Sequence, residues 1–287
     1  MIMSSLDNTI YTREEPLDPH IRIDVHRLTV RSAEINWTPI PSNYFNTPES
    51  VGYLQISDSP TSEFETVHEI TQRHPPFYID DNFMSTYYRS PVVYYKLVFP
   101  DVNKESRVFS SEKEPNFYAA EIIRRHLIQL REGHAGNLMY LFIRRRLKER
   151  CPDCWDTLRG QRSKANCPTC LNTGYIQGYY NPIALYMSLS AENAAVRQAF
   201  EGTEIQGNLQ GWTAGYPRIS MGDCLVDANT REIWNVAQIS MTTHKRVITK
   251  QEVVLQHQDE DLAIFQLLQR IPITPERKDL RHGEILF

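Results

Sequence analysis

The stretch CPDCWDTLRGQRSKANCPTC, residues 151–170, decides how the middle of this chain folds. It contains two Cys-Pro-x-Cys pairs, Cys151 with Cys154 and Cys167 with Cys170, which are separated by twelve residues. Each pair bends the chain so that two sulfurs point into one hollow, and two such turns facing each other can surround a tetrahedral ion. The segment between the pairs is long enough to return as a short hairpin. The spacing therefore predicts a four-cysteine zinc ribbon with one structural zinc ion.

Two disulfides or four unrelated thiols are the alternatives to a metal site. Both pairs share one spacing, and the opening MIMSSLDNTI lacks the basic and apolar regions of a secretory signal. No apolar run approaches the roughly 18 residues that cross a bilayer. We therefore expect a soluble chain made in the cytosol, with no membrane contact, where thiols stay reduced and are free to hold a metal.

The composition is that of a folded protein with room for several domains. The chain has 287 residues, of which 41% are hydrophobic and 23% are charged. Its 31 Lys and Arg residues face 35 acidic ones, giving a net charge of -4. This balance disfavours a protein whose main task is to coat nucleic acid, although it leaves local basic patches open.

An N-terminal arm, residues 1–19, is predicted to precede a β-sandwich over residues 20–112. Short strands rich in Tyr, Phe and β-branched residues alternate there with turns such as PSN and SDSP. The order of a Trp strand, a Tyr-containing middle strand and the YYKLV strand resembles a fibronectin type III domain. Trp37 and Tyr95 are expected to be core anchors of the two sheets rather than ligand contacts.

Residues 113–186 are predicted to combine a helix, a basic strand and the ribbon. Asn116 can cap a helix over FYAAEIIRRHLIQLRE, since apolar residues recur there at three- and four-residue steps. His126 is expected to be a packing histidine. The following LMYLFIRRRLKER favours a strand, on which Arg144, Arg145 and Arg146 would alternate between faces. This basic segment is either a solvated face or a contact for an acidic protein or DNA.

The rest of the chain is predicted to return to strands after one irregular segment. Residues 187–216 are rich in Ala, Asn, Gln and Gly, and we expect a loop or arm there, or a short helix around AENAAVRQAF. Residues 217–287 give runs typical of a small antiparallel β-domain, in which Cys224 is expected to be a buried thiol. The fold class is therefore mainly β and multidomain.

Chemistry beyond the cysteines is sparse in the sequence. We find no nucleophile elbow, phosphate loop, dinucleotide fingerprint or HExxH pattern, so no catalytic residue is assigned. Asp153 and Asp156 are expected to form turns or to pair with nearby arginines. The acidic run Asp259–Asp261 lacks the ligand alternation and the glycine of a calcium loop. Zinc is the only cofactor predicted.

The segments RRRLKERCPDCWD, CPTCLNTGYIQGYYNPI and MGDCLVDANTREIWNV together resemble neck proteins of tailed bacteriophages, and the last is similar to the small β-domain of head-closure proteins. The resemblance implies a non-enzymatic virion protein forming a ring, sixfold or twelvefold by analogy. It implies a portal or adaptor protein and a tail or tail-terminator protein as partners, with non-specific contact with packaged DNA possible.

Two alternatives to the neck assignment stay open. Baseplate components also combine β-sandwiches with small metal modules. A zinc-ribbon nucleic-acid-binding protein is the other alternative, in which Tyr175, Tyr179 and Tyr180 would stack on bases. Gly174 and Gly178, beside these tyrosines, are expected to serve the geometry of the turn.

Overall fold

The computed structural model describes residues 18, 20–28, 32–47, 49–61, 63–80, 92–111, 116–132, 135–146, 149–190, 194–199, 202–245, 247–258, 263–271 and 280–286, with the backbone alone for 27, 194–199 and 202–208. The predicted N-terminal arm, except Asp18, and the acidic run Asp259–Asp261 lie outside these ranges. Within them the chain is mainly β, as the sequence predicts. No helix in the described ranges is long and apolar enough to span a membrane.

Two antiparallel sheets form the described part of residues 18–111. Their strands are β1 (Ile23–Arg27), β2 (Ala33–Trp37), β3 (Gly52–Ser57), β4 (Glu65–Ile70), β5 (Phe77–Asp80), β6 (Tyr94–Phe99), β7 (Lys104–Glu105) and β8 (Phe109–Ser110). One sheet has the order β1-β2-β5, and the other has the order β4-β3-β6-β7, with β8 also pairing with β6. Short 3-10 helices cover Ser42–Tyr44 and Pro100–Val102. Side chains from both sheets meet in a single apolar core. We call these two packed sheets the sandwich.

The core of these two sheets follows from alternation along the strands. In β1, Ile23 and Val25 are buried whereas the residues between and after them are exposed, as expected for a strand with one covered face. Trp37 is 6% exposed and Tyr95 is fully buried, which confirms both as core residues. The Tyr95 hydroxyl donates a hydrogen bond of 3.1 Å to Asp80 Oδ2, so its polar end is satisfied inside the core.

The predicted helix is present as α1 (Phe117–Arg131). The Asn116 side chain accepts a hydrogen bond of 3.2 Å from the Ala119 N–H, which confirms it as the N-cap. Ile123 and Leu130 are fully buried on the apolar face, but Phe117, which the same spacing places on that face, is 64% exposed. His126 Nδ1 lies 3.0 Å from the Thr249 carbonyl oxygen, as expected of a packing histidine.

Six strands within residues 137–257 form a closed barrel. The strands of this part of the chain are β9 (Asn137–Phe142), β10 (Trp155–Asp156), β11 (Gln161–Arg162), β12 (Ile183–Ser190), β13 (Ala194–Ala199), β14 (Gly202–Ala214), β15 (Cys224–Asp227), β16 (Ile233–His244) and β17 (Val247–His257). Of these, β10 and β11 pair only with each other and form a separate short hairpin. The sheet order is β12-β9-β15-β16-β17-β14-β13, and β12 pairs with β14 as well. This additional pairing closes six antiparallel strands on themselves and leaves β13 as a hairpin partner of β14.

The barrel crosses the domain boundaries that the sequence predicts. Strands β9 and β12, expected to belong to residues 113–186, lie in one sheet with β15, β16 and β17. The cysteine-containing segment with the β10–β11 hairpin is therefore an insertion between two neighbouring barrel strands. Five consecutive buried residues, 138–142, run along β9, because both faces of this strand are covered.

Two further segments differ from the sequence prediction. Residues 187–216, expected to be a loop or arm, contain the end of β12 together with β13 and β14. Backbone pairing with neighbours on both sides holds β14, so its polar and small side chains give no clear alternation. Residues 263–270, which lie in the region predicted to be a small antiparallel β-domain, form a 3-10 helix instead, over Ala263–Arg270.

The sandwich and the barrel share an apolar cluster. Leu28, Phe77 and Ile79 from the sandwich belong to the same buried cluster as barrel residues such as Leu141 and Leu255. The C-terminal segment 280–286 then runs along β12, since the Gly283 N–H donates to the Ala184 carbonyl and the Ala184 N–H to the Glu284 carbonyl.

Because His282 is buried, we expect acid to weaken the attachment of this C-terminal segment. Its Nδ1 accepts the Tyr186 N–H at 3.1 Å, so Nε2 carries the proton and donates to the Tyr216 carbonyl. Burial lowers the pKa of His282 to about 4. A histidine with a depressed folded pKa stabilises the fold above its unfolded pKa of about 6.5 and loses that contribution as the pH falls towards 4.

We expect His282→Gln to remove this pH dependence, because glutamine does not titrate and can still donate and accept. Between pH 7 and pH 4 the wild-type free energy of unfolding should fall by about 3 kcal/mol more than that of the variant. Urea unfolding at several pH values measures this difference, in which the other titrating groups cancel. Parallel pH profiles for the two proteins would count against the role of His282.

Candidate metal centre

Four thiols converge between the two Cys-Pro-x-Cys turns. The Sγ atoms of Cys151, Cys154, Cys167 and Cys170 all lie within 4.8 Å of one another. Each of these side chains is at most 3% exposed. Cys151 Sγ is 3.8 Å from Cys167 Sγ, and Cys154 Sγ is 3.4 Å from Cys170 Sγ. The structure thus brings together all four residues that the sequence predicts as ligands.

The sulfur separations distinguish a metal site from disulfides. A disulfide holds its sulfurs about 2.05 Å apart, and all four cysteines are free thiols. A tetrahedral zinc ion with Zn–S bonds of about 2.3 Å places its sulfurs about 3.8 Å apart. The observed separations fit that second arrangement. The cluster is therefore a possible metal site, and its four soft sulfur donors suit zinc.

The first turn and the hairpin that follows it position two of the thiols. The Trp155 N–H donates to the Cys151 carbonyl at 3.0 Å, and the Ser163 N–H donates to the Cys154 carbonyl at 2.7 Å. Between them β10 and β11 form the short hairpin that the sequence predicts. Asp156 Oδ1 accepts the N–H groups of Leu158 and Arg159, which confirms Asp156 as a turn former.

The second turn depends on a run of left-handed residues. Leu171, Asn172, Gly174 and Gly178 all have positive φ angles. The Gly174 N–H lies 3.4 Å from Cys170 Sγ, in position to donate to it, and a Cβ on Gly178 would lie 2.6 Å from the Cys170 carbonyl oxygen. The two glycines therefore serve the geometry of this turn, as predicted.

The environment of the thiols favours a bound cation. Burial raises the pKa of Cys151 and of Cys154. At Cys167 burial also raises the pKa, but hydrogen bonds from the backbone N–H groups of Cys170 and Thr169 and from the Cys170 and Cys154 thiols together outweigh it and lower the pKa to about 7. Four thiolates packed together repel one another, and a divalent cation offsets this repulsion and keeps the sulfurs ionised. A site closed by four protein ligands has no free position for water, so its chemistry is structural.

The three consecutive arginines leave the end of β9 in different directions. The Arg144 N–H donates to Asp223 Oδ1, and its guanidinium donates to the Thr173 carbonyl beside the second turn. Arg145 is 2% exposed and donates to the Gln72 carbonyl in the sandwich. Arg146 is exposed and lies 3.8 Å from Asp223 Oδ1. All three nevertheless line a common groove, so the prediction that alternating faces would keep them from serving one surface is wrong.

A basic groove, which we call the arginine groove, runs beside the metal module, residues 150–180. It has a volume of about 410 Å³, and its lining contains no carboxylate. Five of its lining residues are Arg144, Arg145, Arg146, Arg150 and Arg162. The Arg150 guanidinium stacks between two rings, 3.9 Å from the Trp155 centroid and 4.1 Å from the Tyr175 centroid. The sequence predicts the run of arginines but places it on a strand, whereas β9 ends at Phe142. It also misses Arg162 and Trp155, which the hairpin brings to the groove.

The aromatic residues after the second turn are mostly structural. Tyr179 and Tyr180 are 5% and 6% exposed, and the Tyr180 ring packs under the Arg145 guanidinium. The Tyr179 hydroxyl accepts from the Cys224 thiol at 3.2 Å. Burial raises the pKa of Cys224 to about 12, so it is the inert buried thiol that the sequence predicts. Of the three tyrosines proposed to stack on bases, Tyr175 alone is partly exposed.

No family model matches the chain, and no curated protein is significantly similar to it.

Proposed function

We propose that the chain is a non-enzymatic structural protein of a tailed-phage virion, a neck ring subunit between the portal or adaptor and the tail. The observation that carries this proposal is the position of the cysteine cluster. The four thiols lie in an insertion between β9 and β12, neighbouring strands of the barrel. A metal held there would fix the insertion against the barrel and the sandwich, which suits a rigid spacer rather than a catalyst.

The finer fold assignments belong to the same proposal. A sheet of β1, β2 and β5 facing a sheet built on β4, β3, β6 and β7 supports the fibronectin type III-like sandwich. The two turns with the β10–β11 hairpin between them support a zinc ribbon. The barrel that contains MGDCLVDANTREIWNV supports the likeness to the small β-domain of head-closure proteins. In the virion the chain would form a sixfold or twelvefold ring, with portal or adaptor on one side and tail on the other.

Electron microscopy of labelled particles tests this proposal. Particles carrying a tagged copy of the chain should show the label at the junction of head and tail, and the chain should co-purify with portal and tail proteins. A label at the far end of the tail would favour the baseplate alternative. Recovery of the chain only in fractions without virions would count against any structural role in the particle.

A nucleic-acid-binding function is a second candidate because of the arginine groove. Its arginines and the rings of Trp155 and Tyr175 offer charge and stacking surface together. The burial of Tyr179 and Tyr180 removes two of the three rings that this interpretation relied on. If the groove binds duplex DNA, affinity should fall with salt at a slope of about 0.9 per phosphate contacted. Arg150→Gln and Arg162→Gln should each lower that slope by about one, whereas a neck protein should bind DNA weakly at physiological salt.

A further inference from the structure

A second basic cavity lies where the sandwich, the exit of the metal module and the C-terminal 3-10 helix meet. It has a volume of about 440 Å³ and is lined by Arg73, from the loop between β4 and β5, and by Arg270, at the end of the helix. Gln177 and Asn181 from the metal-module exit complete its polar wall. The Asn181 N–H donates to the Arg73 carbonyl at 3.0 Å, which fixes the loop to the exit strand. Among the residues that the structure describes, no carboxylate lines this cavity.

A buried arginine without a counter-ion lies close to this cavity. Arg145 is 2% exposed, and the one hydrogen-bond acceptor of its guanidinium among the described residues is the Gln72 carbonyl, at 2.9 Å. Its Nε atom is buried and has no partner there. None of Arg73, Arg145 and Arg270 forms an ion pair with a residue of the described ranges. Arg145 is therefore a buried charge without a counter-ion in the described part of the chain, which is costly. Arg73 and Arg270 are exposed, so they are open to an oxyanion that arrives from solvent.

The three guanidinium groups also act on one another. Burial lowers the pKa of Arg145, and the charges of Arg270 and Arg73 lower it further. Burial and the charge of Arg73 do the same at Arg270. The three cations are therefore close enough to repel, and an oxyanion between them would convert repulsion into charge-assisted hydrogen bonds. A bound ligand would also need a hydrogen-bond donor, because Gln177 Oε1 is a buried acceptor in this wall without a partner in the described part of the chain.

We propose that this cavity binds an acidic peptide segment of a partner protein, whose carboxylate pairs with Arg73 and Arg270 while a peptide N–H donates to Gln177 Oε1. An acidic peptide carries the oxyanion and the donor on neighbouring atoms. A DNA sugar-phosphate backbone presents acceptors to the arginines but no donor for the glutamine, and therefore fits less well. The site goes beyond the neck assignment and does not require it, since it follows from the described residues alone.

Fluorescence anisotropy with the full-length protein tests the site. The probe is a fluorescein-labelled Gly-Asp-Glu-Asp-Gly peptide, and Gly-Asn-Gln-Asn-Gly is its uncharged counterpart. We expect the acidic peptide to bind and the uncharged one not to bind. Arg73→Gln and Arg270→Gln should each weaken binding by about tenfold, the usual effect of losing a charge-assisted hydrogen bond. Arg107→Gln, at an exposed sandwich position outside the cavity, makes the same charge change and should leave binding unaltered.

Arg145→Met separates this role from a contribution to stability. Replacing a buried, unpaired charge with an apolar side chain should leave the urea midpoint unchanged or raise it, while peptide affinity falls. Equal binding of the two peptides would overturn the proposal, as would full affinity in both Arg73→Gln and Arg270→Gln. Duplex DNA binding that is lost in those two variants, without any peptide binding, would also overturn it. Unchanged peptide affinity in Arg145→Met would count against the proposal, whatever the effect of the substitution on stability.

Discussion

Replacing Cys167 with serine is expected to remove about one equivalent of zinc per chain from protein prepared under reducing, zinc-replete conditions. The hydroxyl of serine is not ionised at neutral pH, so a four-thiolate site loses one ligand and part of the charge that holds the ion. Structural zinc supplies on the order of 10 kcal/mol of local folding free energy. The turns that depend on it should therefore loosen over residues 150–180.

Hydrogen exchange combined with elemental analysis measures both effects in one preparation. Amides of residues 150–180 should exchange much faster in Cys167→Ser, whereas those of the sandwich should keep their protection. The sandwich core contains no residue of the metal module, so it does not depend on the ion. Unchanged zinc content in Cys167→Ser would remove the basis for the metal site.

Cys224→Ser is the matched control for this experiment. Cys224 is as deeply buried as the four clustered cysteines, but its thiol donates to the Tyr179 hydroxyl and is not part of the cluster. Serine can make the same hydrogen bond in nearly the same volume. We expect this variant to retain one equivalent of zinc, and a loss of zinc would show that the effect is not specific to the cluster.

The features that the sequence predicts well are those that depend on neighbouring residues. The two Cys-Pro-x-Cys turns and the hairpin between them are local, so their spacing predicts the thiol cluster directly. The Asn116 cap and the three- and four-residue apolar steps likewise predict α1. In both cases a few adjacent side chains determine the backbone, and no distant strand has to be known.

The barrel could not be predicted because its closure is not local. Strand β9 pairs with β12 on one side and with β15 on the other. In the chain, the segment with the β10–β11 hairpin separates β9 from β12, and the β13–β14 hairpin separates β12 from β15. Buried residues on both faces of β9 predict a covered strand but do not specify its partners. In β14, positions such as Gly211 approach Leu189 and Met187 too closely for a larger side chain, so close packing replaces the apolar alternation.

The two basic sites also differ in how much of each the sequence predicts. The arginine groove is partly readable, since Arg144, Arg145 and Arg146 are consecutive, but Arg162 reaches it only because the ribbon hairpin folds back. The second cavity joins Arg73 and Arg270, from opposite ends of the chain. Nothing in the spacing of the sequence connects these two residues, and the packing of sandwich against barrel brings them together.

Substituting Gly178 with alanine is expected to have the second-largest effect. Gly178 and Gly160 have nearly identical left-handed backbones, with φ angles of 62° and 63°. An added methyl group therefore brings the same conformational strain at both sites, about 1 kcal/mol. The surroundings differ, because a Cβ on Gly178 would lie 2.6 Å from the carbonyl oxygen of Cys170, whereas nothing lies within 4 Å of one on Gly160.

The collision at Gly178 involves the backbone of a predicted metal ligand, so no side chain can rotate to relieve it. The second turn must shift, and with it the Cys170 thiol. We expect Gly178→Ala to destabilise the protein by about 4 kcal/mol, within the range of severe single substitutions, and to release zinc faster to a chelator. Gly160→Ala should lose about 1 kcal/mol and keep wild-type zinc release. Equal losses in the two variants would mean that strain alone acts, and that the close approach to Cys170 does not hold the metal turn in place.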